Sequence, residues 1–176
     1  MNKVGIFYGT DTNNTEMVAG KIQMQLSELG IEAEMHNVVD IPIATMLSYD
    51  TLILGIPTWD FGGIQADWED LAHELTQLNL SGKIVALYGL GDQFGYGDYF
   101  VDAMGWLYEQ LKSTGAVFVG AWSTEGYDFE ASRACNSDKS EFVGLAIDED
   151  QQFDLTDQRI EQWVIQVYAE HAALAA

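Results

Sequence analysis

Short, nearly continuous apolar runs alternate along the chain with stretches in which apolar residues return every three or four positions. Lys3–Tyr8 (KVGIFY), Thr51–Ile56 (TLILGI), Lys83–Gly89 (KIVALYG) and Ala116–Ala121 (AVFVGA) read as buried strands. Ile31–His36 (IEAEMH) alternates and reads as a less buried one. Strands without a polar face belong to a sheet covered on both sides. Between them, Val18, Ile22, Leu26 and Leu29 make one helical stripe, ended by Gly30. Trp68, Leu71, Ala72 and Leu75 make a second, and Met104, Leu107, Tyr108 and Leu111 a third that closes near Gly115. Ile160, Trp163, Val164, Val167 and Tyr168 make the last, with Thr156 and Asp157 as its N-cap candidates. The alternation predicts an α/β fold, a parallel sheet with helices on both faces, in one domain over residues 1–176.

One stretch breaks the rhythm. Trp122–Glu141 (WSTEGYDFEASRACNSDKSE) is polar and turn-rich, after which FVGLAI resumes a strand. A loop of that length is unusual inside a compact domain and tends to be functional; the plainer reading is an insertion that interrupts the last strand. No repeat, low-complexity tract or linker divides the chain.

Ligands of open parallel sheets sit beyond the carboxyl ends of the strands, and three such ends carry unusual loops. The first, FYGTDTNNTEM (Phe7–Met17), leads into a helix whose N–H groups form the positive end of a macrodipole. Thr10, Thr12 and Thr15 add hydroxyls and Asn14 an amide, with Asp11 and Asn13 between them; Gly9–Glu16 holds no Lys or Arg. This is a neutral cradle for one phosphate, or a plain helix cap. It lacks the second glycine and the Lys-Ser/Thr of a Walker A loop, and it is not GxGxxG. The second, GIPTWDFGG (Gly55–Gly63), carries Pro57, Thr58, Trp59, Asp60, Phe61 and Gly62. The third, GLGDQFGYGDYF (Gly89–Phe100), carries Gly91, Asp92, Tyr96, Asp98 and Tyr99; Tyr99 and Phe100 read alternatively as the packed start of a helix. A phosphate cradle with an aromatic residue on each of two neighbouring loops fits a flat, aromatic, monophosphorylated ligand held between two rings.

Composition narrows the partners. The chain sets 28 acidic against 7 basic residues, a formal net charge of -21. Such a field repels nucleic acid and anionic membrane and steers basic proteins, unless it serves only solubility or a salty habitat. Cys135 is the single cysteine, so neither an internal disulfide nor a CxxC pair is available. His36, His73 and His171 are not spaced as metal ligands and fall outside the three loops. MNKVGIFYG runs straight into a strand pattern without a charged leader, and no apolar run approaches the roughly 18 residues of a membrane span. The expectation is a cytoplasmic, soluble protein with no metal.

With these residues in view the chain resembles a flavodoxin of the long-chain type. The resemblance rests on T-x-T-x-x-T-E (Thr10–Glu16), on PTW followed by glycine (Pro57–Gly62), on GDQ-x-x-Y (Gly91–Tyr96), on the insertion before FVGLAIDED, and on DLTDQRIEQW. ALYGLGDQFGYGDYF and STEGYDFE are most similar to the flavodoxin 2 type. The resemblance implies a three-layer doubly wound sandwich with a five-stranded parallel sheet in the order 2-1-3-4-5. Flavodoxin is itself the standard case of that order, with FMN at the switch between strands 1 and 3. It also implies FMN as a non-covalent cofactor. Thr10, Thr12, Asn14 and Thr15 would hold the phosphate, Trp59 and Tyr96 would flank the ring, and the Asp60–Phe61 peptide would meet flavin N5. Asp92 would lie in the loop at the pyrimidine edge, and Asp150 near the ribityl chain. Asn13 stands where the family usually has glycine; Asn tolerates the left-handed backbone region, so it is expected to keep the loop shape at small cost.

The implied function is a low-potential one-electron carrier rather than an enzyme. Asp60, Asp67, Asp92, Asp98 and Asp102 are expected around the ring, where they would disfavour added negative charge. Partners would be basic-faced redox proteins such as a flavin reductase or an iron–sulfur enzyme, docking transiently and salt-sensitively with a monomer. Two alternatives share the scaffold. An FMN-dependent NAD(P)H:quinone reductase would need a substrate pocket over the ring. A phosphorelay receiver domain would need an aspartate where this chain has GIPTW.

Overall fold

Val4–Tyr8 is apolar at every position but Gly5 and forms β1, an interior strand of the sheet buried along its whole length. The computed structural model describes Met1 and residues 3–176. In chain order the strands are β1, β2 (Ala33–Asn37), β3 (Thr51–Trp59), β4 (Gly63–Ile64), β5 (Ile84–Leu90), β6 (Val117–Val119), β7 (Trp122–Ser123), β8 (Glu141–Phe142) and β9 (Leu145–Ile147). The sheet runs β2-β1-β3-β5-β6, with parallel neighbours. Since β4 is only a short antiparallel return along the end of β3, this is the expected order 2-1-3-4-5. The fifth position is shared: β6 pairs with β5 from Ile84 to Ala86, and β9 takes over from Tyr88 to Leu90. The last strand is interrupted, as the hydrophobic pattern indicated.

Period-two alternation sends the side chains of β1 to opposite faces. Val4, Ile6 and Tyr8 join Val18, Ile22 and Leu26 of α1 (Asn14–Glu28) and Ile160, Trp163 and Val167 of α5 (Thr156–Leu174). Phe7 joins the opposite core with Trp68 of α2 (Ala66–Asp70), Leu75 of α3 (Ala72–Gln77) and Met104, Leu107 and Leu111 of α4 (Asp102–Leu111). Among the described residues no helix is long and apolar enough to cross a membrane.

Three local expectations are corrected. The stripe Trp68–Leu75 is two short helices, because Leu71 N–H bonds Trp68 O at 3.2 Å, a tightened three-residue turn, before Leu75 N–H resumes the helical spacing onto Leu71 O. Leu29 is exposed, not part of the α1 stripe. Gly30 adopts φ 76°, its N–H bonds Ser27 O and the Ile31 N–H bonds Leu26 O, so Ile31 is buried instead. Thr156 and Asp157 do not cap α5. A turn over Phe153–Leu155 feeds the helix directly, and the Thr156 hydroxyl donates to the Glu149 carboxylate. The insertion, for its part, has structure of its own. β7 and β8 pair at its base, and Tyr127, Phe129 and Phe142 pack around the buried Phe100.

Candidate functional site

The carboxyl ends of β1, β3 and β5 open onto one cavity of about 430 Å³, where the strand order reverses. The first loop contributes Asp11, Thr12, Asn14 and Thr15; the second Pro57, Thr58, Trp59 and Asp60; the third Gly91, Asp92, Tyr96 and Tyr99; and Asp150 comes from the turn after β9. Thirteen of the eighteen predicted site residues therefore meet in one place. The other five lie around it. Thr10 belongs to the first loop without lining the cavity, and Asn13 is the N-cap of α1. Phe61 is turned outward and is 77% exposed. Gly62 backs onto Asp102, and Asp98 lines a neighbouring cavity.

The phosphate end is built by α1. Asn13 adopts φ 68°, ψ −1°, and no side chain caps the helix, so its first-turn N–H groups face the loop without a capping acceptor. The Thr10 hydroxyl is buried and has no hydrogen-bond partner among the described residues. A buried hydroxyl left so is costly, and an anion oxygen within its reach would satisfy it. The loop is braced from behind. The buried Gln65 donates to Asp11 Oδ1 at 3.3 Å and to Asp67 Oδ2 at 2.7 Å, and the buried Tyr88 hydroxyl donates to Thr15 O at 3.0 Å. A side chain at Gly9 would meet Gln65 Oε1 at 2.1 Å, which is why that position is glycine.

At the other end Trp59 and Tyr96 stand on separate loops, 36% and 37% exposed, and both line the cavity. Asp60 and Gly62 turn the chain between β3 and β4 with φ 42° and 84°. The Tyr96 hydroxyl donates to Asp60 Oδ1 at 3.2 Å, and that bond, with the charge of Asp60, pushes the Tyr96 pKa up.

Among the described residues, no Lys or Arg lines the cavity. The acids that do are Asp11, Asp60, Asp92, Glu149 and Asp150. Of the five acids expected around the ring, only Asp60 and Asp92 are among them. Asp67 is turned to Gln65, Asp98 to the neighbouring cavity, and Asp102 is buried against Gly62 and the Arg133 N–H. Burial acts to raise the Asp92 pKa, but hydrogen bonds from Gly95 N–H, the Gln151 side chain and Phe94 N–H together hold it below the usual carboxylate value. Burial and the charges of Asp92 and Asp148 push Asp150 up.

Sequence reasoning missed Leu90 and Glu149, which line the cavity, and Asp148, which organises it. Asp148 is fully buried. Its Oδ2 accepts Gln93 N–H at 3.1 Å and Gln93 Nε2 at 2.8 Å; its Oδ1 accepts the N–H groups of Asp150 at 3.1 Å and Gln151 at 2.9 Å. Gln93 Oε1 in turn accepts Asp128 N–H at 2.6 Å. The DED stretch was visible, but its apolar neighbour Ile147 was the only sign that the first acid points inward.

Residues 6–163 match a family model described as Flavodoxin. Flavodoxin 2 of Salmonella typhi is 52% identical over 170 residues, 96% of each chain. The flavodoxin of Klebsiella pneumoniae is 46% identical over 167 residues, 95% of this chain and 93% of that one. Among solved structures, Fusobacterium nucleatum flavodoxin bound to flavin mononucleotide superposes with a TM-score of 0.89 at 32% identity, covering 97% of this chain and 99% of that one.

Proposed function

This chain belongs to the flavodoxin family, and from that premise we propose that it carries single electrons on non-covalently bound FMN between redox proteins. The observation that carries the reading is the cavity itself, a cation-free anion cradle at one end and the Trp59–Tyr96 pair at the other. Flavodoxin 2 is the type supported within the family.

When bound, FMN supplies the one-electron chemistry. The residues do the rest. The α1 N–H groups with Thr10, Thr12, Asn14 and Thr15 would hold the phosphate without a positive side chain, leaving the field at the ring negative. Trp59 and Tyr96 would cover the ring and keep water from it. The Asp60–Phe61 peptide, in the turn between β3 and β4, would serve the N5 side of the flavin, and the Gly91–Asp92 segment its pyrimidine edge. Asp60, Asp92, Glu149 and Asp150 would oppose additional negative charge on the ring and so favour a low potential for the second one-electron step. Stepwise anaerobic reduction followed by visible absorption tests this, with two well-separated one-electron stages expected. A single two-electron step would refute the reading.

The protein would be a carrier rather than a catalyst of its own, a reading supported by Trp59 and Tyr96, which line the cavity from two separate loops and would leave little of a bound ring open to a substrate. Steady NAD(P)H:quinone turnover without an added reductase would show the opposite. We place it in the cytoplasm as a monomer whose partners present basic faces, as a reductase or an iron–sulfur acceptor would. The support is the charge of -21 together with sparse pairing. Among the described residues, Lys or Arg pairs with an acid only at Lys21–Asp157 and Lys112–Glu109. With a basic cytochrome c as redox probe, the second-order rate should fall about tenfold or more as salt rises from low to physiological strength. A rate indifferent to salt would exclude charge-steered docking.

Asn13 supplies a further check. Its φ of 68° is the left-handed conformation expected for it. Asn13→Val should cost about 1–2 kcal/mol of stability in urea unfolding, whereas Asn13→Gly should change FMN affinity only about twofold. Many-fold tighter binding by the glycine variant would show that asparagine distorts the cradle.

A further inference from the structure

A second cavity, about 310 Å³, adjoins the first across Tyr96 and Tyr99, which line both. Its aromatic wall is Phe61, Phe94, Tyr96, Tyr99 and Phe129. Phe61 meets the Tyr96 and Tyr99 rings edge-on at 5.8 and 5.9 Å, yet remains 77% exposed, and Phe94 is 63% exposed. Large exposed aromatics grouped in a concave site mark an interaction surface. The remaining wall includes the carboxylates of Asp98, Asp128 and Glu130. None of these joins a salt bridge, and none of their carboxylate oxygens accepts a hydrogen bond among the described residues. The backbone beneath them is fixed: Gly97 O accepts the N–H groups of Glu130 and Ala131 at 2.9 and 3.0 Å, and Gln93 holds Asp128 N–H. The insertion thus presents two of the three acids from a braced frame.

We propose that this cavity receives one arginine side chain from the redox partner, an assignment that rests on the carrier reading above. Aromatic faces beside unpaired carboxylates suit a guanidinium, which is planar, weakly hydrated, stacks on rings and forks to carboxylate oxygens; an ammonium does neither as well. A second copy of this chain is a poor occupant. Of its arginines, Arg159 is 8% exposed and only Arg133 is at the surface, and two chains of charge -21 repel. An arginine seated here touches the residues that wall the flavin site, so it fixes the partner's centre close to the ring's exposed edge.

The test is a titration of the FMN-loaded, ¹⁵N-labelled protein with N-acetyl-arginine methylamide, with the uncharged citrulline and the lysine counterparts as controls, read by amide NMR. Saturable shifts confined to residues 94–98 and 128–130 are expected, with citrulline binding roughly tenfold more weakly. Asp128→Asn combined with Glu130→Gln should weaken the arginine probe by about three- to tenfold. The proposal is overturned by shifts spread over the whole acidic surface, by equal binding of citrulline, or by a concentration-dependent dimer that Arg133→Gln abolishes. The flavin absorbance of the same sample reports the carrier reading separately: a colourless protein that still binds the probe at these residues would overturn that reading and uphold the pocket.

Discussion

Asp148→Ala is expected to lower the stability of the FMN-free protein by about 3–5 kcal/mol, among the largest effects of any single side chain near the site. The carboxylate is fully buried, and two loops converge on it. Gln93 reaches it through both its backbone and its side chain, and the N–H groups of Asp150 and Gln151 close the turn after β9 on its other oxygen. Alanine leaves four donors without acceptors where little water reaches them. Asp148→Asn should fall between, since its amide oxygen still serves Asp150 and Gln151 while its NH₂ faces the Gln93 donors. Urea unfolding followed by far-UV circular dichroism measures the loss, with an unchanged dependence on urea concentration. FMN affinity should fall as well, because Gly91–Asp92 and Glu149–Asp150 are the segments released. A loss below about 1 kcal/mol would mean that water replaces the carboxylate and that Asp148 is not the hub of the site.

Trp59→Ala is expected to act on the cofactor instead of on the fold. The indole is 36% exposed at the cavity wall, so folding gains little from it. A flavin stacked on it would bury much of the remaining surface. At about 25 cal/mol per Å² plus a stacking contribution, the loss is roughly 2–3 kcal/mol of binding, or about 30- to 150-fold in the dissociation constant. Recovery of flavin fluorescence on dilution measures it. Urea stability of the FMN-free variant should match the parent within about 0.5 kcal/mol. An unchanged FMN affinity would show that the ring is held elsewhere and would remove Trp59 from the site.

These two residues were not equally legible. Trp59 left a trace, a large aromatic between proline and glycine just past a buried strand, although taken alone such a residue more often folds back onto the core. Tyr96, set between Gly95 and Gly97, did the same. Asp148 gave no such signal: three acids in a row look alike, and which one turns inward depends on Gln93, 55 residues away. The ring-side acids failed for the same reason. Asp98 lies in the third loop, and Asp67 and Asp102 lie in the first turns of α2 and α4, but Gln65, the second cavity and the Arg133 N–H hold them away from the first cavity. Glu149, never considered, faces it.

The chain's own pattern was enough to determine that it forms a covered parallel sheet, where β1, β2, β3, β5 and β6 begin to within two residues, that its last strand is interrupted, and which three loops meet at the ligand end. Burial on both faces demands apolar runs, and phosphate without a cation demands hydroxyls and helix N–H groups; both demands are local and leave a local trace. Only the tertiary structure decided the break at Leu71, the escape of Leu29 from its stripe, the bracing of the third loop by the insertion through Gly97 and residues 130–131, and the cavity that the two segments enclose. Each of these depends on a hydrogen bond or a packing contact with backbone that periodicity does not encode, and the direction of a loop side chain follows from such contacts.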